Sequence, residues 1–312
     1  MVGVFSSTTA RSAVTAIAGT ALAPLAGVRM SYLVCHPPRL GRPARLSELP
    51  EPVDLTISVP GQSGTLHGWL FPGDPHRVVA IGHSIGADKS FSVSYARYLV
   101  EAGYTVLLFD FRNHGRSFDD RSVTGFSRRF ADDLIAAVAH VRAMPAYADS
   151  RWALYGLSMS SFAAVHALSG LSRVEAVVCD SGPAADPGAA VRNLLRQGMF
   201  PLPDLLRGRP AADVFAAVFG PLTAIGMSRP RPWPPAPDGP VAATPMLFLV
   251  GEDDEVVAPD EVAALAAPFP RAQVARIPGA GHLKAMKVDP AGYQARVLGF
   301  LADTLGVPET VS

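Results

Sequence analysis

The stretch Arg151–Ala164 constrains this chain more than any other. It opens as a short apolar run with strand character, Trp152-Ala153-Leu154-Tyr155, and passes through Gly156-Leu157-Ser158-Met159-Ser160. It then becomes an Ala-rich segment in which Phe162, Val165 and Leu168 recur at helical spacing. A serine between strand and helix, with small residues two before and two after it, predicts a sharp turn that strains the serine backbone. Bulky side chains at Gly156 and Ser160 would collide across that turn. The same geometry pushes the Ser158 hydroxyl out of the fold and aims the Met159 N–H at the same point. Glycine is the usual residue where Ser160 stands. The pentapeptide by itself therefore leaves open a plainer reading, a serine that caps a helix.

The surrounding pattern narrows the choice. Val53–Val59 and Thr65–Phe71 alternate apolar and polar residues around the turn Gly61-Gln62-Ser63-Gly64, which predicts an antiparallel pair. Short apolar runs follow at Arg77–Ile81, Thr105–Phe111, Arg151–Leu157, Val174–Asp180 and Pro245–Val250, and Gln273–Ile277 reads as the last strand. Such runs mark strands buried on both faces. Helical spacing separates them, at Phe91–Ala102, Phe130–Met144, Pro259–Ala267 and Asp289–Leu305. The rhythm predicts an α/β protein, a mostly parallel sheet with helices on both faces. Ligands of such sheets bind at the carboxyl ends of the strands. Ser84, Asp110, Ser158, Asp180, Asp254 and His282 all fall there.

A serine hydroxyl attacks only when a base takes its proton, and the base is usually a histidine oriented by a carboxylate. The order Ser158, Asp254, His282 is the one used by hydrolases with a strand–turn–helix nucleophile. Asp254 follows a buried strand through Gly251-Glu252-Asp253, and His282 follows the next through Gly279-Ala280-Gly281. Each has a rival. Gly82-His83-Ser84-Ile85-Gly86 is literally G-x-S-x-G, but it follows the first buried strand, where an oxyanion hole is built. The expected oxyanion donors are the Met159 N–H and the N–H of Ser84 or Ile85. Asp180 and Asp253 compete with Asp254 for the acid. His83, His114, His140 and His166 compete with His282, with His114 read as part of a structural turn.

With these residues in view, the chain resembles the α/β-hydrolase fold proteins, and within them bacterial serine hydrolases of the esterase, thioesterase and serine-peptidase-like group. The resemblance runs over residues 53–306. It rests on Gly82–Gly86, Asp110-Phe111-Arg112-Asn113-His114-Gly115-Arg116-Ser117, Gly156–Ser160, Gly251–Asp254 and Gly279–His282. It implies hydrolysis without a cofactor, and a small helical lid after the sixth strand. The expected layout is an N-terminal helical segment and connector (1–52), the first part of the core (53–182), a lid (183–243) and the second part of the core (244–312). The lid segment is rich in large apolar residues, which predicts an apolar acyl pocket over Ser158, with Met199, Phe200, Phe215 and Phe219 as its walls. Pro230–Pro237 reads as a stiff connector back to the core.

Composition excludes some alternatives. The 27 Lys and Arg balance 27 Asp and Glu, with no basic stripe, so nucleic acid is not an expected partner. The cysteines, Cys35 and Cys179, make no disulfide framework, and no metal-ligand spacing occurs. Residues 13–28 form an apolar stretch after Arg11 that reads either as an export signal or membrane anchor, or as a helix packed outside the domain. The second reading, with a cytoplasmic protein, is preferred. The stretch is short of a membrane span, is rich in Ala, Gly and Thr, and has Pro24 directly after Ala21-Leu22-Ala23. The partner expected is a small molecule with an apolar acyl part. Acyl transfer, cyclisation or lyase chemistry, and a non-catalytic binding role on the same fold, remain as alternatives.

Overall fold

The computed structural model describes residues 7–39, 46, 49–198, 202–228 and 233–308. A long helix, α1 (Ser7–Cys35), precedes an eight-stranded sheet. The strands are β1 (Val53–Ser58), β2 (Thr65–Phe71), β3 (Asp74–Gly82), β4 (Tyr104–Phe109), β5 (Arg151–Leu157), β6 (Val174–Asp180), β7 (Met246–Gly251) and β8 (Ala272–Ile277). Their order across the sheet is β1-β2-β4-β3-β5-β6-β7-β8. β1–β2 and β2–β4 are antiparallel and every other pair is parallel. The alternation read in the first two strands corresponds to a half-exposed edge and the apolar runs of β3 to β7 to strands covered on both sides, while β8, the opposite edge, is again half exposed.

The period of two along each strand sorts side chains between two cores. Val78, Ala80, Leu107, Trp152, Leu154 and Val177 face one layer; Val79, Ile81, Leu108, Ala153, Tyr155 and Val178 face the other. The second layer is filled by helix α2 (Val93–Glu101) and, much later in the chain, by two helices that follow β8. The first layer is filled by α3 (Phe126–Arg142) and α4 (Met159–Ala167). Between β6 and β7 the chain inserts α5 (Pro187–Arg196), α6 (Ala211–Gly226) and the short α7 (Gly239–Ala243). After β7 come α8 (Pro259–Ala266), then α9 (Ala285–Val288) and α10 (Pro290–Thr304), the pair that closes the second layer.

Helix α1 is longer than the apolar stretch that signalled it, and it packs against α6. A Cβ at Gly19 would overlap the Leu205 carbonyl in the turn before α6, and one at Gly27 would sit 3.0 Å from Val218 and 3.2 Å from the Phe215 carbonyl on α6. The two helices therefore approach through backbone.

The turn after β4 is tied down by a buried ionic cluster. The guanidinium of Arg112 donates to Asp133 on α3 at 2.6 Å and to Asp120 at 2.8 Å. Asn113 spans further, donating to the Cys35 carbonyl at the end of α1 (2.9 Å) and accepting from the Asp120 N–H (2.6 Å). These bonds turn a polar loop into a rigid floor beside the carboxyl ends of β3 and β5.

Candidate active site

The parallel register sets the strand ends in line. Gly82 pairs with Gly156, Leu157 with Asp180, and Gly251 with Ile277. Whatever follows each strand therefore emerges at one rim.

Ser158 leaves β5 at φ 57°, ψ −111°, a strained conformation for a residue with a side chain. Gly156 is required beneath it, because a Cβ there would run into the Ser161 backbone. Ser160, the departure from glycine, is buried under the turn. Its hydroxyl accepts from the Leu157 N–H at 2.7 Å and lies 3.1 Å from the Leu157 carbonyl. The space for it comes from Gly82, where a Cβ would come within 2.6 Å of the Ser160 Cβ. The extra hydroxyl braces the turn from below and adds no bulk to the cleft.

Three of the residues singled out by sequence meet at this rim. Ser158 Oγ lies 2.9 Å from His282 Nε2, and His282 Nδ1 lies 2.9 Å from Asp254 Oδ2. A carboxylate only accepts, so the ring proton sits on Nδ1 and Nε2 is left to accept from the serine hydroxyl. Asp254 is buried, and its Oδ1 accepts the Val256 and Val257 N–H groups, each at 2.9 Å. The backbone thus holds Oδ1, which lies 3.2 Å from Nδ1, and leaves Oδ2 as the nearer oxygen to the ring.

The rivals are occupied elsewhere. His83 is fully buried; its Nε2 accepts the Phe111 N–H at 3.1 Å and its Nδ1 faces the Ser84 carbonyl at 2.8 Å. Burial lowers its pKa, and the same cause pushes His114 down to about 3. His114 is structural, with Nδ1 on the Arg112 carbonyl at 2.8 Å. His140 and His166 lie on α3 and α4. Asp253 is exposed. Asp180 is buried beneath the rim and accepts from the Tyr293 hydroxyl (2.7 Å) and the Ser181 hydroxyl (2.9 Å). Burial raises its pKa to about 6.

Sequence reading missed what Asp180 supports. Ser181 Oγ accepts the Leu283 N–H at 2.8 Å, directly beside His282. Both ends of that bond carry positive φ, 55° at Ser181 and 53° at Leu283. The chain Tyr293–Asp180–Ser181–Leu283 therefore pins the histidine loop to the end of β6. The only sequence signal for it is a carboxylate at a strand end.

Ser158 opens into a narrow apolar cleft. Ile85, Phe130, Met159, Phe162 and Ala163 line it from the core, and Ala190, Val191, Leu194 and Met227 from the insertion. Its other hydroxyls are engaged: Ser127 donates to the Met227 carbonyl and Ser181 is held as described. Of the expected oxyanion residues, Ile85 and Met159 share the cleft with Ser158, whereas Ser84 does not line it. The expected pocket walls need correction. Phe215 and Phe219 are buried within the core on α6, stacked at 5.4 Å, and do not line the cleft. They sit on the side of α6 that the rest of the molecule covers, so α5 and the residue after α6 form the wall instead. Met199 and Phe200 lie outside the described residues, as do residues 230–232 of the Pro-rich connector. Trp233 in that connector lies against Phe162, with ring centroids 3.9 Å apart.

A family model described as the alpha/beta hydrolase family matches residues 90–291, well over half of the chain. The chain belongs to this family. No curated protein sequence matches it at a significant level. Among solved structures, the hydrolase fold here is similar to an esterase of Pyrococcus furiosus, at 22% identity and TM-score 0.68, covering 86% of this chain and 100% of that one. A thermophilic esterase from Thermogutta terrifontis aligns at 21% identity and TM-score 0.60, covering 81% and 99%. An esterase from Exiguobacterium antarcticum aligns at 14% identity and TM-score 0.61, covering 80% and 99%. At these identities the likeness concerns the fold.

Proposed function

We propose that this hydrolase cleaves a carboxylic ester or thioester with an apolar acyl group, through an acyl-enzyme on Ser158 and without a cofactor. The observation that carries the reading is the 2.9 Å approach of Ser158 Oγ to His282 Nε2, with Asp254 on the far side of the ring. His282 takes the serine proton as Oγ adds to the acyl carbonyl. The tetrahedral oxyanion is held by the Met159 N–H at the start of α4 and a second N–H from the Ser84–Ile85 loop. Each donor of this kind contributes about 3 kcal/mol to the transition state. Collapse breaks the acyl–oxygen or acyl–sulfur bond, and the imidazolium returns its proton to the leaving group. Water then repeats the sequence and frees the acid.

The cleft supports the substrate class, because its lining offers carbon and sulfur surface and its remaining hydroxyls are spoken for. The helical insertion acts as the lid whose inner side selects the acyl chain.

A fluorophosphonate probe tests the chemistry. The wild-type protein takes the label on Ser158, Ser158→Ala does not, and Ser158→Ala loses p-nitrophenyl butyrate hydrolysis. Full esterase activity in Ser158→Ala sinks the assignment. Products analysed with and without an added alcohol separate hydrolysis from acyl transfer.

A further inference from the structure

Helix α1 reverses the ordinary arrangement of a surface helix. A soluble helix turns its large apolar residues to the core and its small or polar ones to water. Here Gly19, Ala23 and Gly27, spaced by four, face the protein. Ile17, Leu22, Leu25, Val28 and Tyr32 face outward, with Ile17 71% and Leu25 69% exposed. Small residues at the helix contact and large ones outside is the distribution of a helix with apolar surroundings on its free side.

The surface continues onto the partner helix. Leu222 and Ile225 of α6 are exposed, Ile225 at 54%. No charge occurs between Arg11 and Arg29 on α1, nor beyond Asp213 on α6. Residues Thr15–Cys35 make 21 helical residues of mean hydropathy 1.3. The charges on α1 are basic only, Arg11 and Arg29, with Tyr32 a turn from Arg29; that combination suits an anionic headgroup layer. Exposed large apolar side chains on two helices packed together mark an interaction face.

We propose that the outer face of α1 and α6 lies in the plane of a lipid bilayer, and that the acyl substrate is an ester or thioester drawn from that bilayer. The helix lies on the membrane rather than crossing it, because its Gly19–Ala23–Gly27 side is already packed on protein. The face adjoins the cleft. Met227, the residue after α6, lines the cleft, and its Sδ lies 3.6 Å from Cys35 Sγ at the end of α1. The end of α1 is thus one buried side chain away from the cleft wall. The substrate half of this proposal rests on the hydrolase reading; the binding half does not.

The test is co-sedimentation of the full chain with phosphatidylcholine vesicles, with and without phosphatidylglycerol. The wild type and Ser158→Ala are expected to pellet alike, more strongly with the anionic lipid. Leu25→Glu combined with Ile225→Glu removes two inserted side chains and lowers partitioning by at least about a hundredfold. Its melting temperature and its rate on a dissolved short ester stay as in the wild type, whereas its rate on an ester embedded in vesicles falls. Leu25→Gln, the milder change, falls in between. Wild type that stays in the supernatant with both vesicle types overturns the proposal. So does a double variant that pellets like wild type, or a wild-type dimer in light scattering that the same substitutions split into monomers. Vesicle binding without fluorophosphonate labelling would leave the membrane face standing and remove the hydrolase reading alone.

Discussion

Replacing Asp254 by asparagine should do more than remove a charge. In the wild type, Oδ1 accepts two backbone N–H groups, from Val256 and Val257, both at 2.9 Å. Those donors need an oxygen. The introduced asparagine therefore places its carbonyl there and turns its NH₂ to the position of Oδ2, which faces His282 Nδ1 at 2.9 Å. An NH₂ donates, so Nδ1 must accept and the ring proton moves to Nε2. Nε2 then points a proton at Ser158 Oγ where it previously offered a lone pair. The base is present, correctly placed and in the wrong tautomer. A triad in that state loses about four powers of ten in kcat, or about 5.4 kcal/mol of barrier. Asp254→Ala imposes no donor on Nδ1 and should lose less. The assay is kcat/KM on p-nitrophenyl butyrate for both variants, with nitrogen-edited spectra of histidine-labelled protein reporting the tautomer of His282. An Asp254→Asn enzyme within about tenfold of wild type, or one still protonated at Nδ1, would refute this reasoning.

Other outcomes follow from the same geometry. Asp180 has a native pKa raised by burial to about 6 from 3.8, so it costs stability progressively as pH rises between those values and by a constant amount above them. Asp180→Asn should therefore gain on wild type between pH 4 and pH 7 by up to about 3 kcal/mol, read from urea midpoints at the two pH values; a pH-independent difference counts against the buried charge. Ser160→Ala leaves the Leu157 N–H without the hydroxyl it donates to, which should cost about 1–3 kcal/mol in urea unfolding, with KM unchanged because the side chain lies under the turn. Arg112→Leu strands the Asp133 carboxylate, while Asp120 keeps Arg129 at 2.9 Å, and should destabilise by about 3–5 kcal/mol, read the same way. Val191→Trp should fill the cleft wall and depress activity on p-nitrophenyl octanoate while sparing the acetate; equal loss on both would move the acyl pocket elsewhere.

Much of this is written along the chain. The parallel sheet is legible because strands buried on both faces must be continuously apolar, and the turn at Ser158 because only small residues fit at Gly156 and Ser160. The order of Ser158, Asp254 and His282 marks three strand ends. Periodicity cannot carry further, since it says which side of an element is apolar and not what covers it. Phe215 and Phe219 resemble pocket walls for that reason, and only the docking of α6 sends them inward and gives the cleft to Val191, Leu194 and Met227. The brace from Asp180 through Ser181 to Leu283 joins residues about a hundred positions apart, and no local pattern announces such a bond. Along the sequence the glycines of α1 only dilute an apolar stretch; in three dimensions they are what lets it sit on α6 with its large side chains outward. The backbone architecture and the proposed reacting groups can be read along the chain, because both follow from short-range sterics and residue chemistry. What each apolar face touches emerges only in three dimensions, because it depends on which elements meet.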